Sequence, residues 1–151
     1  MKYIAATDGS NKGGKKFGWA WVVIDETGRI IRSKYGCNLV DKTWAHAWNV
    51  AAECTAVIDL LRSVKPHVEL EILHDYEGVG KWARGEWKAK TPCSIGYRDT
   101  VLELSRNVKF TWVKGHSGHE MNELADQLAS KALHEQPAVP VLTRATDGDS
   151  G

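Results

Sequence analysis

The hydrophobic period of this chain switches at residues 44–64, and that switch does most to limit its fold. Val50, Cys54, Val57, Leu61 and Val64 recur every three or four residues. This spacing lines one face of a helix. Pro66 marks its stop, because proline lacks the N–H that a helix needs to continue. Val68, Leu70 and Ile72 then alternate with Glu69 and Glu71, ending at Leu73-His74-Asp75. That two-residue period is a half-buried strand with Asp75 at its end. A strand reached through a helix most simply returns parallel to an earlier strand.

Residues 2–7 read as that earlier strand, closing on the turn signal Thr7-Asp8-Gly9-Ser10-Asn11. Gly13-Gly14-Lys15-Lys16 is a flexible basic loop. Trp19–Ile24 and Arg29–Tyr35 flank Asp25-Glu26-Thr27-Gly28, the pattern of a hairpin. Three antiparallel strands therefore precede the helix. Further on, residues 76–90 are short, basic and aromatic, and residues 95–106 are helical. Lys109–Trp112 is a fifth strand, and Asn122–Leu133 is a helix faced by Leu124, Leu128 and Ala132. The order predicts one α/β domain over residues 1–135, a five-stranded mixed sheet with helices on both faces. From Gln136 the period is lost among prolines, Thr, Asp and Gly, and residues 136–151 read as a disordered tail. The fold begins at Lys2, so no added nucleic-acid-binding domain is expected before it.

A chain of 151 residues with 42% hydrophobic content can bury the core of one such domain. It holds no run of 18 apolar residues and opens without the apolar stretch of a signal peptide, so no membrane association is expected. Cys37, Cys54 and Cys93 are odd in number and lack metal-ligand spacing. They read as reduced thiols of a cytoplasmic protein, here expected to be a monomer. A net charge of +1 neither favours nor excludes a polyanionic partner, although the positive excess is N-terminal.

Four acids could share one place. Asp8 and Asp75 close predicted strands, and adjacent parallel strands would project both carboxylates at one sheet edge, where ligands of open α/β sheets bind. Glu53 and Asp126 lie near the apolar stripes of the first and last long helices. Acids placed there are costly unless neutralised. Hard divalent cations do this through oxygen ligands, and a pair of them can clamp a phosphodiester. Close by in sequence, Lys114-Gly115-His116-Ser117-Gly118-His119 sets His116 on a Gly-flanked loop, ten residues before Asp126.

Thr7-Asp8-Gly9-Ser10, Glu53 in a helix, Asp75 ending a strand, and Val113-Lys-Gly-His-Ser-Gly-His119 followed by Asn122 and Asp126 together resemble ribonuclease H type 1 over residues 1–134. The resemblance implies a ribonuclease H-like fold. It also implies an endonuclease that cuts the RNA strand of RNA/DNA hybrids, leaving 5′-phosphate and 3′-hydroxyl ends. By position, Asp8, Glu53, Asp75 and Asp126 become the ligands of two Mg²⁺ ions, with Mn²⁺ as an alternative. Asp8 bridges the ions, and Asp126 holds the one that activates water. Glu53 and Asp75 hold the other, with Glu53 also near the ribose 2′-hydroxyl. His116 assists proton transfer or product release. His119 and Asn122 order the loop and cap the helix. Gly9, Ser10 and Asn11 are expected to meet 2′-hydroxyls, and Asn49 the minor groove.

The segment Lys81-Trp82-Ala83-Arg84-Gly85-Glu86-Trp87-Lys88-Ala89-Lys90 is compact where many family members carry a long basic insertion. It resembles the shorter form of some bacterial and viral-type members. Lys81, Arg84 and Lys88 with Trp82 and Trp87 suit phosphate contacts and stacking, and the short grip implies salt-sensitive binding. Trp48, Val50 and Tyr76-Glu77 also depart from the family pattern, and Glu77 adds a fifth acid near the site. Two other functions share part of the pattern. A resolvase- or transposase-like nuclease has the acids but lacks the Lys-Gly-His-x-Gly-His block. A hybrid-binding module without catalysis gains nothing from carboxylates that repel phosphate.

Overall fold

The computed structural model describes residues 2–11, 16–39, 48–66, 68–104, 107–114, 120–135 and 139–140. The elements are β1 (Lys2–Ser10), β2 (Lys16–Ile24), β3 (Ile30–Leu39), α1 (Trp48–Ser63), β4 (Glu69–His74), α2 (Gly78–Ala83), α3 (Pro92–Leu104), β5 (Val108–Trp112), α4 (Glu120–Glu135) and β6 (Val139–Pro140). The sheet order is β5-β4-β1-β2-β3-β6. β1, β2 and β3 are antiparallel, while β4 lies parallel to β1 and β5 parallel to β4. The five expected strands are thus present in a mixed sheet. Val139 and Pro140, within the stretch expected to be a tail, add a two-residue parallel pairing on β3. The Gly13–Lys15 part of the basic loop lies outside the described residues.

Two-residue alternation sorts the side chains between the sheet's faces. Ala5, Trp19, Trp21, Val23, Leu70 and Ile72 pack with α1 and α3 residues such as Val57, Leu60, Tyr97 and Val101. Their neighbours Ala6, Val22 and Leu73 pack against Ala125, Met121, Leu124 and Leu128 of α4. Small residues let α4 come close. A Cβ at Gly18 would stand 2.1 Å from the Ala129 carbonyl oxygen. The two buried indoles of β2 place their N–H groups on polar partners, Trp21 on Asp59 of α1 at 2.7 Å and Trp19 on Asn38 of β3. Among the described residues no helix is long and apolar enough to cross a membrane.

Candidate active site

The parallel pairing of β1 with β4 sets Ala6 opposite Leu73. Continuing that register by two residues puts Asp8 beside Asp75, just past the end of β4. α1 crosses above them. Its approach requires Gly9, where a Cβ would stand 2.4 Å from Ala52 Cβ and 2.8 Å from Glu53 N. The helix therefore brings Glu53 down onto the sheet edge. Asp8, Glu53 and Asp75 each offer a carboxylate oxygen, and these oxygens all lie within 4.8 Å of one another. Asp126, half-buried between Ala125 and Ala129 on α4, completes the group from the other face. It hydrogen-bonds Asp8, and its charge acts on Asp75. The four acids come from four elements and both faces of the sheet.

Their electrostatics are adverse. Asp8 and Glu53 are buried, and the charges that act on them come from other carboxylates. Burial pushes the Asp8 carboxyl up to about 7, helped by the Asp75 charge and the Asp126 contact, against hydrogen bonds from Glu53 and the Gly9 N–H. Burial, then the charges of Asp8 and Asp75, push Glu53 well above the usual carboxylate range. Asp75 is raised by burial and by Asp126, while hydrogen bonds with Glu53 and Asp8 pull it down. Without a cation the three carboxyls therefore resist full ionisation. Glu53 Oε2 is buried with no hydrogen-bond partner. Clustered hard oxygens, one of them unsatisfied, fit a divalent cation, which would reverse each of these shifts.

The bend that carries Asp75 is tied at three successive carbonyls. Val113 N–H donates to His74 O at 2.8 Å, Trp112 Nε1–H to Asp75 O at 3.0 Å, and His74 Nδ1–H to Tyr76 O at 2.9 Å. His74 is fully buried. Burial lowers its pKa to about 4, so the imidazole is neutral and its Nδ1 proton serves this bond. Neither His74 nor Trp112 stands out in the sequence, because a backbone carbonyl as partner leaves no residue pattern.

The other expected site residues fall differently. Gly9 serves helix packing, and its N–H donates to Asp8 Oδ1 at 2.9 Å. Asn11 Nδ2 donates to Lys16 O at 2.9 Å, and Ser10 beside it is half-buried. Lys81 and Arg84 both turn to Glu86, and Arg84 also donates to Phe110 O at 3.1 Å. Their charges are thus engaged within the protein. Trp82 is half-buried among Tyr76, Trp87 and Tyr97. Trp87 is 38% exposed at the edge of that cluster, and Lys88 faces solvent. Asn49 lies in the first turn of α1, but its side chain, like all of His116 and His119, lies outside the described residues. Asn122 is buried inside the first turn of α4, which starts at Glu120, so it does not stand at the capping position expected of it.

Comparison with known proteins gives this arrangement a family. The RNase H family model matches residues 1–134. The chain belongs to the ribonuclease H family. It is 33% identical to ribonuclease HI of Streptomyces coelicolor, over 89% of this chain and 63% of that protein. It is 32% identical to ribonuclease H of Marinobacter nauticus, over 89% and 95%. RNase H1 of the archaeon Halobacterium salinarum superposes with a TM-score of 0.73 at 25% identity, covering 89% of this chain and 99% of that one. The fold is shared with LC11-RNase H1, solved in complex with an RNA/DNA hybrid, at a TM-score of 0.70 and 23% identity over 88% and 97%. The acids of β1, of α1, of the bend after β4 and of α4 thus meet at one sheet edge. The chain spans 63% of the length of the Streptomyces relative.

Proposed function

We propose that this ribonuclease H hydrolyses the RNA strand of RNA/DNA hybrids as a metal-dependent endonuclease, leaving 5′-phosphate and 3′-hydroxyl ends. The observation that carries this is the cluster of Asp8, Glu53 and Asp75, whose carboxylate oxygens lie within 4.8 Å of one another, with buried Glu53 Oε2 left without a hydrogen-bond partner. Such a cluster repels phosphate unless a cation is present, so it has no use in a hybrid-binding module.

Asp8, Glu53, Asp75 and Asp126 hold two Mg²⁺ ions, or Mn²⁺ in their place. The bound ions supply Lewis acidity at the scissile phosphate and at the oxygens that enter and leave it. Asp8, which touches Glu53, Asp75 and Asp126, is the central carboxylate of the group and would serve as a ligand shared between the bound cations. Glu53 delivers its carboxylate from α1 at the edge where β1 ends, and the ribose 2′-hydroxyl of the RNA strand approaches there. Backbone groups of Gly9, Ser10 and Asn11 at that same end take neighbouring 2′-hydroxyls, and Asn49 reads the minor groove. His116 exchanges protons between the site and solvent, since an imidazole titrates near neutrality. Trp87 and Lys88 are exposed members of the aromatic–basic segment. They meet the DNA strand by stacking and phosphate contact.

The test uses the purified chain with labelled RNA/DNA hybrid, RNA duplex and DNA duplex, each with Mg²⁺ or EDTA. Metal-dependent internal cleavage of the hybrid RNA alone is expected. Absence of hybrid cleavage, or equal cutting of the RNA duplex, overturns the proposal.

A further inference from the structure

β5 is the edge strand of the sheet, and its last residue, Trp112, pairs in register with His74 at the end of β4. Trp112 is 55% exposed. Its indole N–H is a donor with no accepting capacity, and it is spent on the carbonyl of Asp75 at 3.0 Å. This is an ordinary N–H···O distance. Asp75 follows the last residue of β4 and stands on a bend. There the sheet ladder no longer fixes its backbone, while its carboxylate must keep register with Asp8 and Glu53.

We infer that Trp112 is a positioning residue: its indole N–H clamps the Asp75 backbone so that the carboxylate meets Asp8 and Glu53. The inference rests on the metal role proposed for Asp75. The clamp acts on the carboxylate cluster before any substrate arrives. Its loss therefore weakens metal binding and the turnover that depends on metal, without touching hybrid affinity. A merely structural Trp would instead affect unfolding. A ring used only for stacking on nucleic acid would affect KM.

Trp112→Phe keeps an aromatic ring and removes the donor. The non-natural benzothienyl analogue of tryptophan at position 112 keeps the bicyclic shape and replaces N–H by sulfur. Both are compared with the unaltered protein for Mn²⁺ binding without nucleic acid, read from the free-Mn²⁺ paramagnetic resonance signal. Unfolding temperature in EDTA, and kcat and KM for the hybrid across Mg²⁺ concentration, are measured alongside. Both variants are expected to bind Mn²⁺ about three- to tenfold more weakly, the net effect of one lost hydrogen bond. Both should need correspondingly more Mg²⁺ for half-maximal kcat, with KM at saturating Mg²⁺ changed less than about twofold. Unchanged Mn²⁺ affinity in either variant overturns the inference. So does a fall of more than about 5 °C in the EDTA unfolding temperature of the benzothienyl protein, or a change confined to KM. If the unaltered protein binds Mn²⁺ but leaves the hybrid intact, the proposed function fails, while the Mn²⁺ comparison still decides the role of Trp112.

Discussion

The carboxylate cluster and the aromatic–basic segment that follows it stand in contrast. In the cluster, Asp8, Glu53 and Asp75 face one another, burial and then nearby carboxylate charges raise their pKa values, and one Glu53 oxygen has no partner. In the segment, the groups satisfy each other. Lys81 and Arg84 share Glu86, Arg84 reaches the Phe110 carbonyl, and Trp82 rests on Tyr76, Trp87 and Tyr97. Both regions are rich in charge, yet of the two it is the first that holds a buried polar atom without a partner. Unsatisfied, buried, like-charged groups held by several elements mark a binding site far better than a basic sequence does.

The contrast can be broken most sharply at Asp8. Asp8→Asn should lower kcat on the hybrid by at least about a thousandfold, because a ligand shared by two ions is lost. The same change should stabilise the metal-free protein near pH 7.5. Asp8 titrates near 7 when folded, against an ordinary value near 4. A raised acid contributes stability below its unfolded pKa that is lost as pH rises through the folded one. Removing the charge should recover on the order of 2 kcal/mol at pH 7.5 and little at pH 4, measured by urea unfolding in EDTA. Loss of stability at pH 7.5 would break the comparison.

Gly9→Ala comes next. Its Cβ would overlap Ala52 and press on the Glu53 backbone. A cost of about 1–3 kcal/mol is expected, with activity lowered about tenfold or more because Glu53 rides on the displaced helix. Unfolding and initial-rate measurements on one preparation check both.

The smallest effects belong to the segment. Arg84→Ala should cost less than about 1 kcal/mol, since its partner Glu86 is exposed, and should change KM less than about threefold. Lys88→Ala, at an exposed cation, should weaken hybrid binding and reduce the salt dependence by about one counterion. Binding titrations at several salt concentrations separate the two. A larger effect from Arg84 than from Lys88 would show that its charge is available after all.

Much of this was legible in the sequence, for physical reasons. The period change at Val50–Val64 and the alternation at Val68–Ile72 identify α1 and β4. The crossover through α1 from β3 returns β4 parallel to β1, which brings Asp8 to Asp75. Strand ends were harder. Gly9 and Ser10 look like a turn, yet they pair with Trp19 and Gly18, so β1 runs on to Ser10. β3 likewise passes Tyr35, because Gly36, Cys37 and Asn38 find partners on β2. Local composition signals a turn, but backbone pairing with a neighbouring strand overrides it. The engagement of Arg84 and the Trp112–Asp75 bond depend on three-dimensional neighbours. Nothing in the spacing of Arg84, Glu86 and Phe110, or of Asp75 and Trp112, announces them.

The central claim is that the protein keeps its acids in conflict so that a divalent cation can resolve it. The most direct test is thermal unfolding at pH 8 in EDTA and in saturating Mn²⁺, for the unaltered protein and Asp8→Asn. The unaltered protein should rise by several degrees with metal, while Asp8→Asn should start higher in EDTA and gain little. Equal unfolding temperatures with and without metal in the unaltered protein would contradict the account.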